Sequence, residues 1–324
     1  MRLYEHEAFA ALVRCAAAHF VSRFNSPQVA VHAIEKDYFQ TEMLRVVEHT
    51  LGQKAVFKGG TSLSKGWGLI DRYSEDVDLF IDPLSFDPPI GGKAIRTCMR
   101  SLVDRIVRHG GLSRRQGPAF ARRGIARTEY LRFESALGGN APFAREVCLS
   151  AGIASGREPT ARRAIRSYLS EYVAAKGVEI DSPDFMPFEM TLLHFRRTFV
   201  EKLFAIDHAV ARATEANKPI AASARHYFDL AALAVQPEVL AMLRSAEYRA
   251  IIRDCVEIDR RFYRRAARDP DSWSFRASPA LFPSARLSAA LRAEYGMQCD
   301  LLCFGAYPPW KEVLARFAAI REHL

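Results

Sequence analysis

The sequence predicts an α+β protein in two lobes: an N-terminal lobe with a small mixed sheet, and a C-terminal lobe that is mostly helical. Three observations carry that reading. The chain has 324 residues, which corresponds to two domains at roughly 150 residues each. Short apolar runs bounded by turn residues alternate with helical periodicity as far as about residue 155, the texture of strands mixed with helices. From Thr160 onward helical spacing dominates almost to the end. The composition shifts between residues 155 and 190, and the lobes are expected at 1–185 and 186–324.

Residues 6 to 50 read as two helices. Phe9, Leu12, Val13, Ala16 and Phe20 share one helical face, and Val29, Ile34, Tyr38, Met43 and Val46 share another. Ser26 is placed as an N-cap and Pro27 suits the first turn of the second helix. Ala55-Val56-Phe57 is a strand that runs into Gly59-Gly60-Thr61-Ser62, with a helix expected from about Thr61 to Leu63. Val77 to Asp82 is a second strand, closed by Pro83. Residues 93–108 read as a helix, and 128–133 and 146–153 as two further strands. The remaining clear segments, at 160–176, 196–214, 222–234, 238–268 and 308–322, all read as helices.

Composition excludes several classes. Hydrophobic residues make up 49% and charged residues 26%, the balance of a globular chain rather than a disordered one. No apolar run reaches the ~18 residues of a membrane span. Met1 to Glu7 is charged and lacks the apolar segment of a signal peptide. A soluble, cytoplasmic protein is expected. Six cysteines are scattered, and only Cys299 and Cys303 are close, without a nearby pair of ligands to complete a zinc site. Lys and Arg outnumber Asp and Glu by 46 to 37, a formal charge of +9, which leans toward polyanionic partners.

The stretch that carries chemistry is Lys58-Gly59-Gly60-Thr61-Ser62-Leu63-Ser64-Lys65, followed by Arg72-Tyr73-Ser74-Glu75-Asp76-Val77-Asp78-Leu79. A strand entering two glycines lets backbone approach a ligand closely, and the following helix start offers N–H groups to an anion such as a triphosphate. A capped glycine turn is the bland alternative. The familiar phosphate and nucleophile motifs do not fit. Lys65 follows Ser64 rather than the glycine of a P-loop, Asp71 stands where a Rossmann glycine would, and Ser64 breaks a hydrolase elbow at Ser62. Asp76 and Asp78, two apart at a strand start, face the same way. Two carboxylates so placed repel unless a cation separates them, and Mg²⁺ is the natural one beside substrate phosphates. The alternative is a solvated acidic turn capped by Arg72.

These motifs resemble the paired signature of the AbiEii/AbiGii-type nucleotidyltransferase toxins, within the polymerase-β-like nucleotidyltransferase superfamily. Arg197-Thr198-Phe199-Val200-Glu201-Lys202-Leu203 is similar to that family's Thr-Phe-x-Glu-Lys-Leu helix. Arg225-His226-Tyr227-Phe228-Asp229-Leu230 is similar to its Arg-Asp-x-x-Asp-Leu element, with His226 in place of the first Asp. The four elements span residues 58 to 230. The resemblance implies a nucleotidyltransferase lobe, a helical lobe that completes the active site, and a site between them. It implies that Gly59, Gly60, Thr61 and Ser62 cradle NTP phosphates, with Lys65 as countercharge and Ser74 beside them. Asp76 and Asp78 would hold the metal, Lys202 would reach the triphosphate, and Asp229 would complete the catalytic set. Each of the last two has a bland reading. Thr198 and Glu201 make a capping box, Lys202 could snorkel beside Phe199 and Ile206, and Asp229 could pair with Arg225 one turn back. Relatives often carry a glutamate where Ser150 stands here, which leaves Glu129, Glu134, or substrate and water to complete the metal site.

Eight arginines lie between 105 and 132 (105, 108, 114, 115, 122, 123, 127, 132) against one acid, Glu129. A second cluster is Arg260-Arg261-Phe262-Tyr263-Arg264-Arg265, with Arg268 beyond. Arginines interleaved with aromatics suit a phosphate backbone and unstacked bases, and Arg114, Arg115, Arg122 and Arg123 are the candidate RNA contacts. The expected function is Mg²⁺-dependent transfer of a nucleoside monophosphate from an NTP to RNA. By resemblance the acceptor is the tRNA 3′ end, and the protein is the toxin partnered by an antitoxin. The alternatives are transfer to a protein or small-molecule hydroxyl, and a catalytically inactive binding protein.

Overall fold

The computed structural model describes residues 1–21, 27–74, 76–116, 120–122, 125–138, 144–178, 180–263, 269–303 and 305–324. The chain forms two compact units. The first is Met1–Trp67 with Tyr73–Leu192, and the second is Gly68–Arg72 with Leu193–Leu324.

The first unit opens with helices α1 (Phe9–His19) and α2 (Pro27–Leu51). The expected cap Ser26 lies outside the described residues. Strand β1 (Ala55–Lys58) passes without a loop into the short helix α3 (Gly59–Lys65), which begins two residues earlier than expected. Strand β2 (Asp76–Ile81) follows, then helix α4 (Gly92–His109). The strands β3 (Ser113–Arg114), β4 (Phe120–Arg122), β5 (Ala126–Arg132), β6 (Glu146–Gly152) and β7 (Thr160–Ile165) come next, then helix α5 (Tyr168–Lys176) and strand β8 (Phe188–Leu193).

These strands make one mixed sheet in the order β3-β5-β6-β2-β1-β8-β7, with β4 on β5. β2 pairs antiparallel with β1 and parallel with β6, so it lies inside the sheet. Val77 and Leu79 of β2, with Val147 and Leu149 of β6, are buried. α2 lies against β1, β6 and α4.

The expectation of a helix over 160–176 is corrected here. Thr160–Ile165 is the edge strand β7, and the helix begins only at Tyr168, where the Ser167 hydroxyl accepts the Ser170 N–H at 3.1 Å. Ala and Arg favour helix in isolation, and pairing beside β8 overrides that weak preference.

The second unit is helical: α6 (Phe195–Ala216), α7 (Arg225–Leu233), α8 (Pro237–Leu243), α9 (Ala246–Ile258), α10 (Ala285–Leu302) and α11 (Trp310–Ile320). The helical span expected at 238–268, with a break allowed for, is two helices joined at Arg244 and Ser245. The Ser245 hydroxyl caps the second by accepting the Glu247 N–H at 3.2 Å. α7 is the buried centre, in contact with α6, α10 and α11. Its Tyr227 lies 5.0 Å from the Trp310 ring and donates its hydroxyl to the Ala280 carbonyl at 2.8 Å. Among the described residues no helix is long and apolar enough to cross a membrane.

The N-terminus is fixed to the first unit by one buried carboxylate. Asp184 accepts the Leu3 N–H at 2.8 Å and the Tyr38 hydroxyl at 2.6 Å, and pairs with Arg2 at 3.0 Å. Asp184→Ala leaves those donors buried without an acceptor and should cost about 3 kcal/mol. In a unit of the size of the first that lowers its melting temperature by roughly 6–12 °C. Tyr38→Phe, which removes one donor, should cost less; calorimetry on both variants checks the order.

Candidate active site

In the first unit, the register of β2 decides what faces what. Asp76 pairs with Cys148 and Asp78 with Ser150, and in turn Cys148 pairs with Tyr130 and Ser150 with Thr128. Directly opposed residues share a face, so the two carboxylates stand with a thiol, a phenol and two hydroxyls. The Thr128 and Ser150 oxygens are 3.4 Å apart. Burial and the charge of Asp76 push the Cys148 thiol up to about 12, so it stays protonated and donates to Asp76.

This register settles the candidates for a third carboxylate. Glu129 is opposite Leu149, on the other face of the sheet. It is held there by Arg127 at 2.7 Å and Arg114 at 3.3 Å. Glu134 lies beyond the end of β5, four positions past Tyr130, which is in line with Asp76, or about 13 Å along an extended chain. Neither joins Asp76 and Asp78. Among the described residues, no group of three or more His, Cys, Asp or Glu side chains is arranged to hold a metal.

The glycine motif is locked beside this pair. Gly59 has φ +80°, and a Cβ there would run into the Asp78 carboxylate, so glycine is required on both counts. The Ser62 hydroxyl donates to the Gly59 carbonyl at 2.9 Å, and Thr61 donates to the Asp76 carbonyl, tying α3 to β2. Gly60, Thr61 and Ser62 are buried. The Ser74 carbonyl accepts from Gln40 Nε2 at 3.1 Å and from the Thr61 hydroxyl at 3.5 Å. Lys65 turns toward α2. Its Nζ pairs with Asp37 at 2.5 Å and donates to the Thr41 hydroxyl at 2.9 Å and the Arg166 carbonyl at 3.0 Å.

In the second unit, Arg72, Lys202 and Asp229 form one buried cluster, with the half-buried His226 beside it. Arg72 grips Asp229 with two bonds, Nε to Oδ1 at 2.6 Å and Nη2 to Oδ2 at 2.7 Å. Lys202 Nζ lies 2.7 Å from Asp229 Oδ2 and 3.2 Å from His226 Nδ1. Burial opposes ionisation of Asp229, but Arg72 and Lys202 together hold its carboxyl well below the usual carboxylate range. Burial, reinforced by the Lys202 charge, pushes His226 down to about 4. The imidazole is therefore neutral near pH 7 and accepts from Lys202. Burial also lowers the Lys202 ammonium, with Asp229 opposing.

Residues 43–313 match the family described as nucleotidyl transferase AbiEii toxin, type IV toxin–antitoxin system. The chain belongs to that family. It is a nucleotidyltransferase, and its family is one of toxins. Among solved structures it is similar to MenT4, a nucleotidyltransferase toxin from Mycobacterium tuberculosis H37Rv, at 18% identity and a TM-score of 0.48, over 97% of this chain and 95% of that one. It is also similar to a nucleotidyltransferase from H. pylori, at 15% identity and a TM-score of 0.39, over 83% of this chain and 97% of that one. No curated protein matches the chain.

Several of the bland readings do not hold in this AbiEii chain. Thr198 and Glu201 are not a capping box. His194 caps α6, Thr198 lies inside the helix with its hydroxyl 3.4 Å from the His194 carbonyl, and Glu201 pairs with Arg197 at 3.1 Å. Lys202 does not snorkel, since it is buried on Asp229. Arg72 is 2% exposed and caps no acidic turn.

The arginine runs are partly neutralised. Arg114 pairs with Asp104 at 2.6 Å, and Arg115 pairs with Glu146 at 3.4 Å while lying 4.2 Å over the Tyr130 ring. Arg122 is on β4 with its side chain outside the described residues, and Arg123, Arg264, Arg265 and Arg268 lie outside them altogether. Arg260 pairs with Glu257 at 3.3 Å, and Arg261 lies 5.1 Å over the Phe262 ring.

Sequence reasoning missed the polar stripe of α2. Glu35 accepts from the Ser135 hydroxyl at 2.7 Å and the Ala136 N–H at 2.8 Å, and burial raises its carboxyl. Asp37 holds Lys65 and accepts the Tyr168 N–H at 2.9 Å. The signal was three consecutive charges, Glu35-Lys36-Asp37, between the core residues Ile34 and Tyr38.

Asp229→Ala leaves two buried cations without a partner and should cost about 3–5 kcal/mol. The pH dependence should show His226. Its pKa is lower in the folded chain than its ordinary 6.5, so protonation favours unfolding. Its contribution is fully present above about pH 6.5 and lost as pH falls toward about 4. Asp229 adds acid sensitivity only below its ordinary carboxylate range, near pH 4. In His226→Gln the fall in melting temperature between pH 7 and pH 5 should shrink; an undiminished fall assigns it elsewhere.

Proposed function

We propose that this nucleotidyltransferase moves a nucleoside monophosphate from an NTP to the 3′ end of an RNA, with tRNA the expected species. The reaction is Mg²⁺-dependent, takes place in the cytoplasm, and is restrained by a cognate antitoxin protein. The observation that carries the reading is the face of β2 on which Asp76 and Asp78 stand beside the hydroxyls of Ser150 and Thr128. Their oxygens are hard donors that suit Mg²⁺. Asp76 and Asp78 would hold the ion, which when bound neutralises charge on the phosphates. Among the described residues no third carboxylate joins them, and substrate oxygens and water would fill the remaining positions.

The other residues position and neutralise. Gly59 keeps the space beside Asp78 clear. Gly60, Thr61 and Ser62 would meet phosphate through backbone N–H groups, because the Ser62 hydroxyl is already given to the Gly59 carbonyl. Lys65, braced on Asp37, adds positive potential, and Ser74 borders the same loop. Lys202 would supply a fixed positive charge to the triphosphate, with Asp229 as its anchor and His226 as a neutral acceptor. The acceptor oxygen bonds to the α-phosphorus as pyrophosphate leaves, and the work asked of the chain is orientation and charge stabilisation. Arg114, Arg115, Arg122 and Arg123 are assigned to the RNA.

The test is incubation with Mg²⁺, each labelled NTP in turn, and total RNA. Label in RNA that is abolished by chelation is expected. Label in protein or a small molecule, with none in RNA, would move the acceptor to those classes. Asp76→Ala and Asp78→Ala should each abolish transfer with an unchanged or slightly raised melting temperature, since each removes one of two repelling charges. Near-normal transfer by Asp76→Ala would overturn the metal assignment. Ser74→Glu should also silence transfer, because negative charge beside Asp76 and Asp78 competes with the NTP. Wild-type activity in that variant would show that local charge does not govern the site.

A further inference from the structure

The first unit carries a second basic feature away from the glycine motif. A groove of about 660 Å³ runs between α2 and α4, lined by Arg45, His49 and Thr50 of one helix and Arg105, Arg108 and His109 of the other, with Val46 on its floor. The spacings 45/49 and 105/108/109 put each set on one face of its helix. No acid lines the groove. Glu42, just below, is shared by Arg2, Arg45 at 3.1 Å and His109 at 3.3 Å. Asp104 is taken by Arg114. Among the described residues, His49, Arg105 and Arg108 have no hydrogen-bond, ion-pair or ring partner.

Helix ends account for part of this charge. His49, Arg108 and His109 sit in last turns, where cations offset the negative end of the helix dipole. Arg105 lies further in and, unlike Arg45, which Glu42 holds, has no carboxylate partner among the described residues, so the groove holds more positive charge than its two helix ends call for. The volume is that of a ligand site, and among the described residues its lining holds no Phe, Tyr or Trp ring. Guanidinium groups meet phosphate oxygens whatever the base sequence, so the groove reads charge and not base identity.

We propose that the α2–α4 groove is a binding site for the backbone phosphates of the acceptor RNA, engaged by Arg105 and Arg108 with His49 beside them. The inference rests on the RNA reading of the acceptor and gives it a location distinct from Arg114 and Arg115, whose charge is largely spent on Asp104, Glu129 and Glu146.

The test uses the full chain, 5′-labelled unfractionated tRNA as probe and inorganic tripolyphosphate as a competing free phosphate. Arg105→Ala combined with Arg108→Ala changes two exposed side chains, so folding should be unaltered. The double variant should bind tRNA about tenfold more weakly at physiological salt, with a log–log salt slope shallower by about 1.5, since each lost phosphate contact removes about 0.7–0.9. Its KM for NTP should equal that of wild type, and tripolyphosphate should compete with tRNA less effectively on the variant than on wild type. Unchanged tRNA affinity and slope would overturn the proposal, and if binding of the antitoxin protein is lost instead, the groove belongs to a protein partner. Failure of the acceptor reading looks different. Wild type would then label no RNA with any NTP, whatever the double variant does to tRNA binding.

Discussion

For β2 to hold the centre of its sheet, Val77 and Leu79 must be buried, and alternation along the strand then turns Asp76 and Asp78 to the opposite face. The same rule, carried across the ladder, sends Leu149 and Glu129 to one side and Cys148, Ser150, Tyr130 and Thr128 to the other. The layout around the acidic pair therefore follows from core burial. A slip of one residue in the β2–β6 register would turn both carboxylates to the buried side of the sheet, the side on which Glu129 lies. Thr61, donating to the Asp76 carbonyl, and Lys58, opposite Asp78, attach the glycine motif to that register.

The second unit meets a different demand. Asp229 is fully buried and balances two cations, Arg72 and Lys202, while His226 stays neutral. Net positive charge thus remains inside a helical core whose other contacts, around Tyr227, Trp310 and Phe317, are aromatic. Buried ion groups of this kind seldom add stability over an apolar replacement, so their presence is better explained by chemistry than by folding. His226, being neutral, adds no negative charge beside Lys202.

What could be read in advance was local. Strands β1, β2, β5 and β6 announced themselves by apolar runs, and the glycine motif and acidic pair by spacing within twenty residues. β7 was missed because Ala and Arg gain extended structure only from a neighbouring strand, and β8 because its six residues, Phe188–Leu193, are too few to show a period of their own. α10 was missed because the exposed Met297 and Leu301 blur the stripe of Leu291, Tyr295, Cys299 and Leu302 that forms its buried face. The grip of Arg72 on Asp229 joins residues far apart in sequence, and no periodicity encodes such a partner. Family resemblance marked Asp229 and Lys202, but their mutual contact and the role of Arg72 needed coordinates. The fate of Glu129 was a matter of parity, fixed by which residue of β6 it opposes.

Arg72 reaches the helical unit through a five-residue excursion, Gly68–Arg72, flanked on both sides by chain that belongs to the other unit. The helical half is thus not a contiguous stretch of gene. A fragment beginning at Leu193 would carry Asp229 and Lys202 without the guanidinium that grips them, and one ending at Leu192 would keep an arginine whose counterion had gone. Recombination that shuffled the C-terminal half onto another catalytic lobe would import this defect each time. The two halves are constrained to be inherited as a set, and variation at 72 is tied to variation at 229 although no short motif contains both.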